Sequence, residues 1–312
     1  MMSRGTAGRA RFMAGRLLLA ALLALPAAAQ APGRIRLSIG FSARIIGKSN
    51  RTDLTAAMKA WMRTAAMERK VEADPDVQIF DRFEDLAQEV EHRRLDVISV
   101  GMDDFVVLEK RVPMTGLFAN RVRGRITDNY VVLVRRDQAA KGLADLRGQS
   151  IVVLEQNRAL LAPLWLDTEL MRRHLRPLAG HFGKVTYTAK PSLAIMPLFF
   201  KQVDAALMNQ AAFETACELN PQLAKELTVL LVSPAVLSSV GAYRANATSA
   251  SATFYREEAT RLSETPGGRL ILNLFQTDAI IQVMESDLRE TRALLAEHAR
   301  LVAGAQRKAG AP

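Results

Sequence analysis

Hydrophobic positions along the chain switch repeatedly between short apolar or alternating runs and runs with a period near 3.6, as expected of strands linked by crossover helices. Residues 34–41 predict a first strand. Leu54, Met58, Trp61, Met62 and Ala65 then fall on one helix face, with Thr52 or Asp53 placed to cap it. A strand follows over 77–80, a helix over 84–94, a buried strand over 96–100 and a helix from near Asp103. The charged stretch 121–128 interrupts this series, and a second begins at 130–134. It predicts a short helix over 143–148 closed by a glycine and a strand over 150–154. Leu161, Leu164, Trp165, Thr168 and Met171 share one helix face. Strand, helix, strand and helix then fall over 185–188, 192–202, 204–208 and 211–219, with a last strand over 227–232. Ser233-Pro234 marks an exit, residues 240–243 are strand-like, and the remainder reads as helical, broken at 265–268.

Two βαβ series separated by a crossing near 125 and a return near 236 predict an α/β protein of two lobes. The sheets are expected to be mostly parallel, with helices on both faces and a two-strand hinge. Residues 30–126 and 238–312 make one lobe, and 127–237 an inserted second. A ligand belongs in the cleft between them. Trp61 and the methionines stand at helical spacing and read as core.

Composition adds the compartment. Arg4, Arg9, Arg11 and Arg16 precede an apolar run over 17–25 that is short for a membrane span, and Ala27-Ala28-Ala29 follows. Residues 1–29 therefore read as a cleavable signal peptide and the mature chain as periplasmic. The formal charge of +10 includes those four arginines and becomes +6 without them, spread along the chain. Export and dispersed charge argue against nucleic acid as a partner. Cys217 stands alone in an apolar-spaced stretch with Phe213 and Leu219, which points to a buried structural thiol. The four histidines lack metal spacing. No nucleophile elbow, P-loop, zinc-protease motif or dinucleotide fingerprint is present, so neither an enzyme nor a cofactor is expected. Asp103-Asp104 reads as a helix N-terminal pair favoured by the dipole, because neighbours on a helix point in different directions.

Several segments together resemble one family. YVVLVRRD (130–137) followed by LADLRGQSIVV (143–153) is similar to the start of the second lobe in type 2 periplasmic binding proteins. The likeness is to their phosphate-, phosphite- and phosphonate-binding branch. LDVISVGMDDF (95–105), VDAALMNQ (203–210), ELNPQL (218–223), LLVSP (230–234) and PGGRLIL (266–272) continue the resemblance in order. It implies a clamshell binder without catalysis that works with a membrane ABC permease. The chain departs from the family at three places. The turn 154–160 reads LEQNRAL and lacks the family's Ser/Thr run. Phe105 stands where tyrosine is common. Asn209 stands where many members carry an acid, which disfavours an aminoalkyl ligand.

Binding residues in such lobes cluster at the carboxyl ends of strands. That selects Ser42 and Arg44 after the first strand, Asn50 before the first helix, and Met102 and Asp103 after the third strand. In the second lobe it selects Gln156, Asn157, Arg158, Ser192 and Asn209, with Tyr130 at the crossing. Arg44 and Arg158 are the expected charge partners of a small anionic ligand. Ser192 and Asp103 fit helix N-caps better than ligand contacts, Asn50 also fits a cap of the first helix, and Tyr130 equally fits packing between lobes. Two functions stay open. One is the solute receptor of an ABC importer, and the other is a sensory module for a membrane kinase, cyclase or chemoreceptor. A monomer is expected in either case.

Overall fold

The computed structural model describes residues 35–46, 51–247 and 249–309. The expected signal peptide and Asn50 lie outside these residues. Two sheets organise the chain. The first contains β1 (Ile35–Ser42), β2 (Ala73–Phe80), β3 (Val97–Gly101), β4 (Met114–Arg121), β10 (Ser239–Arg244) and β11 (Ala279–Gln282), in the order β11-β4-β10-β3-β1-β2. The second contains β5 (Tyr130–Arg135), β6 (Ser150–Leu154), β7 (Lys184–Thr188), β8 (Ala205–Asn209) and β9 (Leu227–Val232), in the order β7-β6-β8-β5-β9.

Helices α1 (Ala43–Ile46), α2 (Arg51–Glu68), α3 (Phe83–Glu91) and α4 (Met102–Leu108) join the strands of the first series. Helices α5 (Ala162–Arg172), α6 (Leu178–His181), α7 (Pro191–Phe199), α8 (Gln210–Leu219) and α9 (Pro221–Glu226) do so in the second. The chain ends with α10 (Ser249–Thr260), α11 (Pro266–Leu274) and α12 (Arg289–Ala309).

Sequence patterning accounts for most of this. Leu54, Met58, Trp61, Met62 and Ala65 are all buried along α2, as one 3.6-period face requires. Strands β3, β6 and β8 are nearly continuous apolar runs because helices cover both faces. Strand β2 begins earlier than the pattern indicates, at Ala73. It tolerates Pro75 because it lies at the sheet edge, where a missing N–H donor leaves no ladder bond unmade.

The sheets are mixed rather than mostly parallel. Among the described residues only β1–β2, β1–β3, β6–β7 and β6–β8 pair in parallel. Strand β10 returns from the second sheet and inserts antiparallel between β3 and β4, while β5 runs antiparallel to both β8 and β9. Strands β4 and β11 carry no clear two-residue period and lie half-buried at one side of the sheet, so the pattern did not announce them. The expected helix at 143–148 is a 3-10 turn over Leu143–Leu146, with Gly148 in the left-handed region at φ +75°. Helix α8 buries no residue fully. Cys217 is therefore only half-buried, and Leu219 is 84% exposed rather than core.

One hydrophobic cluster runs through both lobes, uniting Phe105 and Leu108 of α4 with Tyr130, Trp165, Leu237 and Leu294. Helix α12 lies across that seam. Arg292 holds Glu109 with Nη2–Oε2 at 2.8 Å, and Glu297 receives Arg172 Nε of α5 at 2.8 Å. His298 meets Thr168 at 3.1 Å, and Thr291 Oγ1 accepts the Leu237 N–H at 2.8 Å. The two chain crossings meet as a β-bridge between Asp128 and Val236, with N–H···O bonds of 3.0 and 2.9 Å.

Candidate functional site

A cavity of about 410 Å³ lies between the two sheets and is closed at its back by the crossings, through Asp128 on one and Val236 to Ser239 on the other. Ile45, Ile46, Asn120 and Gln276 face it from the first lobe, and Glu155 to Arg158 with Lys190 from the second. A neighbouring cavity of about 620 Å³ shares Glu155 and Gln156 and is lined further by Arg44, Asp103, Leu160 and Tyr187. Both lie at the carboxyl ends of β1, β6 and β7, where parallel strands release the chain into loops.

The main cavity is built on Asp128, which is 5% exposed. Its Oδ2 accepts Arg158 Nε at 3.2 Å and Asn209 Nδ2 at 2.7 Å. Its Oδ1 accepts the Asn129 N–H at 2.9 Å. Arg158 also donates from Nη2 to the Thr127 carbonyl at 2.8 Å. One carboxylate thus ties the ends of β6 and β8 to the first crossing. The charge of Arg158 is largely matched within the protein. Gln156 donates to the Ala189 carbonyl at 3.0 Å, which fixes the β6 turn beside Lys190. The Oδ1 atoms of Asn157 and Asn209 are buried without a hydrogen-bond partner among the described residues.

Lys190 differs from the arginines. It is exposed, lines the main cavity and makes no ion pair among the described residues. The sequence rule missed it by two positions, because it precedes Pro191 at the end of β7 where Ser192 was favoured. Ser192 is exposed on the first turn of α7, makes no cap and lines neither cavity. Asp128 was hidden in a charged linker, and nothing in the sequence marked Gln276, whose φ of +50° follows α11.

Other expectations are corrected. Met102 is wholly buried in the core of the first lobe. Tyr130 is equally buried, packed on Trp165 with its hydroxyl 2.8 Å from Ser238 Oγ, so it joins the lobes and does not face the cleft. Ser42 is buried and lines neither cavity. Asp103 caps nothing: the N-cap of α4 is Gly101, without a side-chain bond. The two acids do converge, because Arg44 spans them, with Nη2–Asp103 Oδ2 at 2.9 Å and Nη1–Asp104 Oδ2 at 3.1 Å. Among the described residues no group of three or more His, Cys, Asp or Glu could hold a metal ion.

Burial, and then the neighbouring Asp103, push the Asp104 carboxyl up to about 6, against the pull of Arg44. A raised value means that the folded state holds the proton more tightly than the unfolded chain. Stability from this group is therefore full below about pH 4 and is lost as pH rises through about 6. Asp104→Asn is expected to melt higher than the parent at pH 7, with the gap closing toward pH 4. Melting curves across pH 4–7 check this, and a constant gap would contradict it.

Residues 45–288 match the model of a family described as "ABC transporter, phosphonate, periplasmic substrate-binding protein". No curated protein matches the sequence. Among solved structures, XAC2383 from Xanthomonas citri bound to chloride ion superposes with a TM-score of 0.63 at 15% identity, covering 86% of this chain and 99% of that one. A binding protein component of an ABC phosphonate transporter from Pseudomonas aeruginosa gives 0.57 at 14% identity, covering 88% and 89%. PhnD1 from Prochlorococcus marinus in complex with methylphosphonate gives 0.54 at 12% identity, covering 84% and 96%. At these identities the likeness is one of fold, and the shared fold is the two-lobed type 2 periplasmic binding protein. Among the described residues no helix is long and apolar enough to cross a membrane.

Proposed function

Because the chain belongs to the periplasmic substrate-binding proteins of phosphonate ABC transporters, we propose that it captures a small anionic solute between two closing lobes and delivers it to a membrane permease. The family is one of solute-binding proteins, not of enzymes; it works with an ABC permease, and it implies a periplasmic location. Residues 30–126 with 238–312 form one closing lobe and 127–237 the other, a division supported by sheet membership and by the Asp128–Val236 bridge.

The observation that carries the anion is Lys190. It is a cation facing the main cavity without an ion pair among the described residues, beside the Gln156–Asn157 amides. Glu155 shares that wall as an exposed carboxylate, so the anion sits on the Lys190 side, away from it. Arg158 and Asn209, joined through Asp128, hold the turn that presents those amides. Arg44 is matched by two carboxylates and serves the lobe rather than the ligand.

Calorimetric titration of residues 30–312 with phosphate, phosphite, methylphosphonate and short sulfonates tests this. One or more of these anions should bind, and Lys190→Ala should weaken binding roughly ten- to a hundredfold, the value of a charged hydrogen bond. Failure of every anion, or an unchanged affinity in the variant, would reject the reading.

A further inference from the structure

The charged stretch between the two βαβ series makes a contact that the solute site does not use. Val122 and Arg125 form a β-bridge, with N–H···O bonds of 2.9 and 3.0 Å, and close a tight hairpin over Arg123 and Gly124. Both central residues have positive φ, +48° and +77°, as a type I′ turn requires. The first lobe grips this hairpin. The Gly124 N–H donates to Asp278 Oδ2 at 3.3 Å, and the Arg121 carbonyl accepts the Asp278 N–H and the Thr277 hydroxyl, each at 2.8 Å. Its two arginines reach the second lobe. Arg123 Nη2 lies 3.6 Å from Glu218 Oε2, and Arg125 Nη2 lies 3.6 Å from Glu214 Oε2. The two acids stand four residues apart on α8 and so share one face of it. We propose that the hairpin is an electrostatic clasp that holds the lobes together beside the cleft, raising solute affinity without touching the solute.

Three features support it. The hairpin stands at the edge of the cleft: Val122 and Ile126 line the main cavity, while Arg123 and Arg125 line neither space. The contact can also part. Tyr130, Trp165 and Leu237 join the lobes as buried side chains and make a fixed pivot. The four charged side chains instead keep 41% to 64% of their surface exposed. At 3.6 Å each pair attracts through charge without a hydrogen bond, and that attraction fades gradually as the lobes separate. The turn, finally, favours charge over backbone. Arg123 takes a left-handed conformation that asparagine or glycine adopts more easily, so its side chain rather than its backbone suits it to this position. Solute binds the closed form, and a contact that populates this form beforehand strengthens binding by the same factor.

Small-angle X-ray scattering of residues 30–312 without solute tests the clasp. The parent should be compact at about 0.1 M salt and expand at about 1 M, as the screening length falls from about 10 Å to about 3 Å. Arg123→Glu/Arg125→Glu should be expanded already at the lower salt. Adding Glu214→Arg/Glu218→Arg should return the compact radius, because it restores both pairs with their signs exchanged. Arg123→Asn separates charge from backbone. It should melt no lower than the parent, since asparagine suits the turn, yet show part of the expansion. In calorimetric titration with inorganic phosphate, the reversed variant should bind about three- to tenfold more weakly, the worth of two exposed ion pairs, and the exchanged variant should bind like the parent. A radius that ignores both charge reversal and salt overturns the clasp, as does an expansion that the exchange fails to undo. Scattering needs no solute, so the clasp and the anion reading stand or fall separately.

Discussion

Replacing Asp128 with alanine is expected to destabilise the protein by about 3–5 kcal/mol, because it strands a half-buried guanidinium among groups arranged for an anion. The carboxylate accepts from Arg158, Asn209 and the Asn129 N–H. Each kcal/mol moves the melting midpoint of a chain this size about 2–4 °C, so a thermal scan resolves the loss easily. Asp128→Asn keeps an acceptor and should lose less. The double variant Asp128→Ala/Arg158→Met should recover much of the loss, since an apolar pair of similar volume replaces a charge pair at little cost. A loss under about 1 kcal/mol for Asp128→Ala would mean that solvent already satisfies Arg158. Solute affinity should fall with stability, because the same carboxylate holds the ends of β6 and β8.

A comparable loss is expected in the first lobe from Arg244→Met. Arg244 is 7% exposed and donates from Nη2 to Asp96 Oδ1 at 2.7 Å and from Nε to the Leu95 carbonyl at 3.2 Å. Ser251 Oγ reaches the other Asp96 oxygen at 3.1 Å. Removing the guanidinium leaves a buried carboxylate with one hydroxyl in place of a counter-charge, at about 3–5 kcal/mol. A double-variant cycle with Asp96→Asn in urea should show coupling of more than about 1 kcal/mol between the two sites. Additive effects would show that Arg244 contributes through packing of its stem alone.

Both networks were invisible in the sequence for the same reason. Periodicity reports which face of an element is buried, and it placed α2, β3, β6 and β8 well. Partners of charged side chains are set by topology. Arg44 finds its acids at 103 and 104, Arg158 finds Asp128, and Arg244 finds Asp96 across the return strand. The rule that sites follow strand carboxyl ends selected Gln156, Asn157 and Arg158, which line the main cavity, and Asn209, which is buried and bonds to Asp128 of its wall. It erred at Met102 and Tyr130 because a strand end can equally feed the seam between lobes, where an apolar or aromatic side chain packs. Strands β4 and β11 escaped because half-buried strands at the side of a mixed sheet need no strict alternation.

Strand β10 occupies the middle of the first sheet, yet it follows the whole of the second sheet in chain order, and α12 follows everything. For a chain that emerges amino end first, β3 and β4 wait without their shared neighbour until residue 244 has appeared. The seam then waits for α12 to be covered. Assembly of the first lobe is thus a closing event rather than an opening one. A product cut short anywhere in the second lobe presents bare strand edges to other chains.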